Sequence, residues 1–125
     1  MLRMILQSLI AMLLLSNLDG ESIARLIKTE GKGNFKRMGM SNFSEQASLG
    51  TAVNNGDASD VGDKGFAVIM YLDDKTILKI HQNTQFVFLD TRNTRTIDLE
   101  FGTILNDVKR EGRTKTFRIE TPISV

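Results

Sequence analysis

The chain has no cysteine and no tryptophan, and only one proline, one histidine and one tyrosine among its 125 residues. Without cysteine there is no disulfide, no thiolate nucleophile and no cysteine-ligated metal. A single histidine leaves a weak donor set for a transition metal. Aromatic residues make up 6% of the chain, so a core must rest on Ile, Leu, Val and the seven Phe. Charge of one sign is also missing. Sixteen Lys and Arg face 15 Asp and Glu, a net charge of +1, which gives no electrostatic footing for a nucleic-acid binder. With one proline, a stiff proline-rich linker is excluded. The length and a hydrophobic fraction of 41% suit one small folded domain.

The longest apolar run lies at the start. "MLRMILQSLIAMLLLSNLDGESIA" carries one positive charge at Arg3, then a run from Met4 to Leu15 broken only by Gln7 and Ser8, then polar residues. This is the three-part layout of a secretory signal peptide. Ser22 and Ala24 place small side chains at the two positions a signal peptidase reads, so residues 1–24 are expected to be a leader cleaved after Ala24. The run is shorter than the roughly 20 residues that span a bilayer. An uncleaved anchor is the alternative, and the leader is then the only membrane contact expected. Loss of residues 1–24 removes Arg3, Asp19 and Glu21 from the totals of 16 and 15, leaving 15 basic against 13 acidic residues. The remainder is still close to neutral.

From Arg25 onward the dominant hydrophobic period is two. "RLIKTEGKGNFKR" suits a strand bent at Gly31 and Gly33, and "FAVIMYL", Phe66 to Leu72, is a buried-strand run rich in β-branched and aromatic residues. "TILKI", "FVFL", "TIDLEF" and "TFRIE" alternate in the same way. No later window carries a helical stripe, so residues 25–125 read as one all-β domain. "MGMSNFSEQASLGTAVNNGDASDVGDKG", Met38 to Gly65, reads as loops with one short strand near Leu49 to Val53.

Three stretches invite a chemical reading. Asp73, Asp74 and Lys75 sit between two apolar runs, where aspartate is a favoured turn residue. Neighbours on an extended chain point to opposite sides, so this carboxylate pair is poorly placed to share one ion. His81 closes the following strand with no identifiable nucleophile or orienting partner. "NNGDASDVGD" lacks the glycine and bidentate glutamate positions of an EF-hand, and "VKREGRTKTFR" reads as a solvated basic hairpin. No phosphate-cradling glycine loop is present. These residues imply no catalytic group, no metal and no cofactor.

In order, these features resemble the FecR domain family of bacterial envelope proteins. The first strand is followed by Gly56-Asp57, then by "AVIMYLDDKTILKIHQNTQF", in which Asp73 and Asn83 fall at family positions. Next come Leu99 and Gly102 of "IDLEFG", then Thr121 and Pro122 of "FRIETP". Asp74 stands where the family's turn carries Gly, and the Thr-Gly expected after Gly56-Asp57 is replaced by "ASDVGDKG". The sequence stops at Val125, ahead of the family's Arg-Gly-Thr segment, so the last strands of the domain are expected to be absent. The resemblance implies a β-solenoid-like domain of short stacked strands, working in the periplasm or outside the cell. It implies a non-enzymatic envelope protein that binds a protein partner or a cell-wall polymer. The alternative is a periplasmic signal receiver, linked to an outer-membrane transporter and to sigma-factor regulation of iron uptake.

Overall fold

The computed structural model describes residues 22–107 and 115–122; residues 1–21, which hold most of the expected leader, the basic run 108–114 and the last three residues lie outside that range. Among the described residues the chain is all-β. Its strands are β1 (Ser22–Glu30), β2 (Gly33–Lys36), β3 (Glu45–Gln46), β4 (Ala52–Asn54), β5 (Ala58–Val61) and β6 (Phe66–Tyr71). They continue as β7 (Ile77–Ile80), β8 (Thr84–Asp90), β9 (Thr94–Phe101), β10 (Ile104–Asp107) and β11 (Thr116–Glu120). A five-stranded sheet has the order β10-β7-β6-β1-β4, and a six-stranded sheet the order β11-β9-β8-β5-β2-β3.

Alternation decides which side chains meet between the sheets. On β8 the buried residues are Thr84, Phe86 and Phe88, and on β7 they are Leu78 and Ile80. Phe86, Phe88, Leu78 and Ile80 join Leu26, Phe35, Val53, Ile69, Tyr71 and Ile97 in one core drawn from both sheets. Phe86 and Phe88 meet edge to face with ring centroids 4.6 Å apart, a geometry that adds to simple burial.

The strands expected at "FAVIMYL", "TILKI", "FVFL", "TIDLEF" and "TFRIE" are all present. Three features differ. The first expected strand is two strands in different sheets, and the corner between them is Gly31 at φ +67°. A Cβ there would stand 2.8 Å from the Lys64 carbonyl oxygen, so the corner needs glycine. The polar stretch expected as loops contains β5, a central strand of the larger sheet. Its Ala58 and Ser59 are buried but too small to give a hydrophobic signal.

Third, the strands that flank the basic run, which itself lies outside the described residues, do not pair with each other as the expected hairpin would require. β10 pairs with β7 in one sheet, and β11 pairs with β9 in the other. The β9–β11 pairing is parallel, which demands a crossover between them, and β10 on the opposite sheet lies within that crossover. No helix among the described residues is long and apolar enough to cross a membrane.

Candidate functional site

A charged cluster closes one end of the two sheets. Arg95 lies on β9, in phase with inward-facing Ile97, and its side chain is 2% exposed. Burying a guanidinium is tolerable only where its donors are met. Its Nη2 donates to Asp73 Oδ2 at 2.7 Å and to Asp90 Oδ2 at 3.0 Å, and Nη1 donates to Asp74 Oδ1 at 3.2 Å. Nε reaches the Asp90 carboxylate at 3.3 Å. The guanidinium carbon sits 3.6 Å above the Tyr71 ring centroid, a cation–π contact in a desolvated setting. Lys115 Nζ donates to Asp90 Oδ2 at 3.2 Å.

Local chain geometry brings these groups together. Asp90 and Arg95 pair across the β8–β9 hairpin. Asp73 and Asp74 come from the β6–β7 turn, where Asp74 Oδ1 accepts from Thr76 N at 3.0 Å and Asp73 Oδ1 from Asp74 N at 2.7 Å. The turn expected at this stretch is therefore present, and Lys75 adopts φ +62° within it. The expectation that Asp73 and Asp74 are poorly placed to share one cation does not hold. A tight turn is not an extended chain, and both carboxylates converge on Arg95. Asn55 ties a third segment to the cluster, donating Nδ2 to the Asp90 carbonyl and accepting from Asp90 N through Oδ1, each at 2.8 Å.

Beside the cluster lies a half-open cleft of about 620 Å³. Its lining includes Ile23, Leu72, Asn55, Asp73, Arg92 and Lys115. Burial works to raise the carboxyl pKa of Asp73, but the Arg95 hydrogen bond and charge outweigh it and hold the group below its ordinary value. Burial likewise works to lower the pKa of Arg95, and the hydrogen bonds it donates to Asp90 and Asp73 overcome it, so the guanidinium is a fixed cation. Burial, reinforced by the Asp90 charge, pushes the Tyr71 phenol far above its usual value. None of these three groups changes charge near neutral pH, where a general acid or base must work.

The family-motif residues fall at three corners. Asp73 belongs to the cluster just described. Asp57 is buried beneath the β4–β5 turn, where its carboxylate accepts from Asn54 N at 2.9 Å, Met38 N at 3.2 Å and Arg37 Nη1. Gly56 precedes it at φ +90°. Asn83 and Gly102 meet at the third corner, with φ +54° and +107°. A Cβ on Gly102 would collide with the backbone of Thr84, while the Thr84 hydroxyl accepts from Thr103 N at 3.0 Å. Leu99 is half-buried against the core, and Thr121 and Pro122 are exposed beyond β11. Ser22 and Ala24, expected at the cleavage boundary, lie within β1. Ser22 lines the cleft, and Ala24 is fully buried opposite Val53 and Tyr71. His81 closes β7 edge-on to Phe66, with ring centroids 5.9 Å apart.

Sequence reasoning missed the role of Arg95, Asp90 and Lys115. The signal was there: in "TRTIDLEF" Arg95 has the phase of Ile97 and Leu99, so a charge occupies a core-facing position. A family model described as FecR protein matches residues 60–125, a span that contains the whole cluster. No curated protein and no solved structure matches the chain.

Proposed function

The chain belongs to the FecR protein family, a regulatory and signalling family without enzymes, and from that membership we propose a non-enzymatic binding module of the bacterial envelope. The apolar leader supports export, to the periplasm or beyond. Repeated passage of the chain between two sheets supports the solenoid-like winding that the family resemblance implies. The ligand is a protein partner or a cell-wall polymer, held in the cleft beside Arg95.

One observation carries this reading. Each carboxylate of the cleft is already engaged by Arg95, so the site holds its polar groups in fixed positions and presents no activated nucleophile. That is the character of a recognition surface. The test is co-sedimentation of the protein with purified cell-wall sacculi. Arg92 is exposed on the cleft wall, and Arg92→Glu should weaken retention about fivefold, within the range of a contact residue, at an unchanged melting temperature. Equal retention of both proteins would remove the cleft from the binding site. No retention of either would turn the search to envelope proteins.

A second reading has its own observation. β10 is an edge strand with Leu105, Asn106 and Asp107 exposed, and such an edge can accept a partner strand. A signal receiver for an outer-membrane transporter would use it in this way. Titration with the transporter's signalling domain should then slow hydrogen exchange at β10 amides, and unchanged exchange would exclude that edge.

A further inference from the structure

We propose that the outer face of the five-stranded sheet docks on a bilayer surface rich in anionic phospholipid. An antiparallel sheet with one solvated face normally alternates apolar residues inward with polar residues outward. β6 breaks that rule. Its inward residues are Ala67, Ile69 and Tyr71, and its outward residues Phe66, Val68 and Met70 are apolar as well. The neighbouring strands continue the surface. On one side β7 sets Ile77 beside Met70 and Lys79 beside Val68; on the other β1 sets Arg25 beside Met70 and Lys28 beside Val68. Ile27, at the bulge between Leu26 and Lys28, is 40% exposed. β7, β6 and β1 each have a strand on both sides, so a strand added at either edge of the sheet widens it and leaves this face open.

Charge selects the occupant. β1, β6 and β7 carry Arg25, Lys28 and Lys79 against one acidic residue, Glu30, which stands 3.6 Å from Lys28. The two exposed lysines flank Val68, so their aliphatic stems lie along apolar surface while the ammonium groups point outward. Apolar side chains ringed by cations match the boundary between acyl chains and anionic headgroups, where apolar burial and charge attraction add. The outer face of the other sheet offers no such match. Val87 and Leu89 point outward there, but Asp98 stands opposite Val87 and Asp60 opposite Gln85. Two copies packed through the basic face would set cation against cation, which disfavours a dimer. The leader's apolar run, ending at Leu15, leads into this same sheet through β1. A chain that keeps its leader is held beside lipid through this sheet, and tethering raises the effective concentration of the surface.

The experiment uses single-tryptophan reporters, since the chain has no tryptophan of its own. Full-chain Ile27→Trp and Leu89→Trp are compared on phosphatidylcholine vesicles with and without an equal part of phosphatidylglycerol, with brominated acyl chains as quencher. The two positions are each 40% exposed, on opposite outer faces, and the leader tethers both proteins alike. Ile27→Trp should be quenched on the anionic vesicles only, and Leu89→Trp on neither. Lys28→Glu together with Lys79→Glu should weaken docking by about tenfold or more, read as lost quenching of Ile27→Trp at an unchanged melting temperature. Added salt should act in the same direction. Equal quenching at both positions would reduce the contact to the leader and overturn the proposal. So would an Ile27→Trp signal that stays unquenched on anionic vesicles, or one indifferent to the lysine reversal. None of these residues lines the cleft, so either result leaves the ligand of the cleft to its own test.

Discussion

Arg95 occupies a core-facing position on β9, and its burial is tolerated because three carboxylates and an aromatic ring surround it. Asp74 and Asp90 are themselves 2% and 4% exposed, so removal of the guanidinium strands two buried anions. Arg95→Met is expected to cost about 3–5 kcal/mol, the range for breaking a buried pair from one side, as measured by urea denaturation. Arg95→Lys should rescue little, since an ammonium cannot reproduce the planar fork that meets three carboxylates. Asp73 behaves differently because its side chain is 36% exposed. Its folded carboxyl titrates below its ordinary value of 3.8, so ionisation favours the folded state. That contribution is complete above the ordinary value and is lost as pH falls through the lower folded value. Asp73→Asn should therefore lower stability near neutrality and flatten its fall below about pH 4, so that the two proteins converge in acid.

Corners at the strand ends dictate how elements exchange sheets. Gly102 at φ +107° turns β9 toward β10 with its α-carbon packed on the Thr84 backbone. Gly102→Ala brings a steric collision and a disfavoured dihedral together, and should lower stability by at least about 2 kcal/mol in thermal or chemical unfolding. Asn83, at φ +54° in the same corner, should accept Gly at nearly no cost, because glycine enters that region freely. These motif positions could be placed from sequence as turn residues. β10 could not, since "ILND" is short and lacks clean alternation, and only the Gly102 corner delivers it beside β7. β5 was hidden for a related reason: small residues can be buried without looking hydrophobic.

For the molecule as a whole, the start of β1 bears on stability. Ala24 is fully buried in the shared core, Ser22 Oγ donates to Asn54 Oδ1 at 3.2 Å, and Leu72 N donates to the Ile23 carbonyl at 2.9 Å. A chain beginning at Arg25 loses all three, and its melting temperature should lie at least about 5 °C below that of a chain beginning at Ser22. Calorimetry of the two forms decides it. Equal melting temperatures would show that β1 needs only its Arg25–Glu30 segment. The same whole-molecule view joins the cleft to the core, because its walls come from the start of β1, the β4–β5 turn, the β6–β7 turn and the β8–β9 hairpin.

By itself the sequence determined the all-β class, five of the strands, the principal turns and the family, because period-two alternation and turn chemistry act over a few residues at a time. Tertiary structure alone decided that these strands form two sheets, that β9 and β11 run parallel and that β10 and β11 lie in opposite sheets. It alone also brought Asp73, Asp74 and Asp90 onto Arg95. Those outcomes depend on which distant strands share a core, and local spacing carries no record of that. The arginine makes the distinction plain. Its phase on β9 marked it as core-facing, but its acceptable burial depends on carboxylates up to 22 residues away, assembled only when both sheets close.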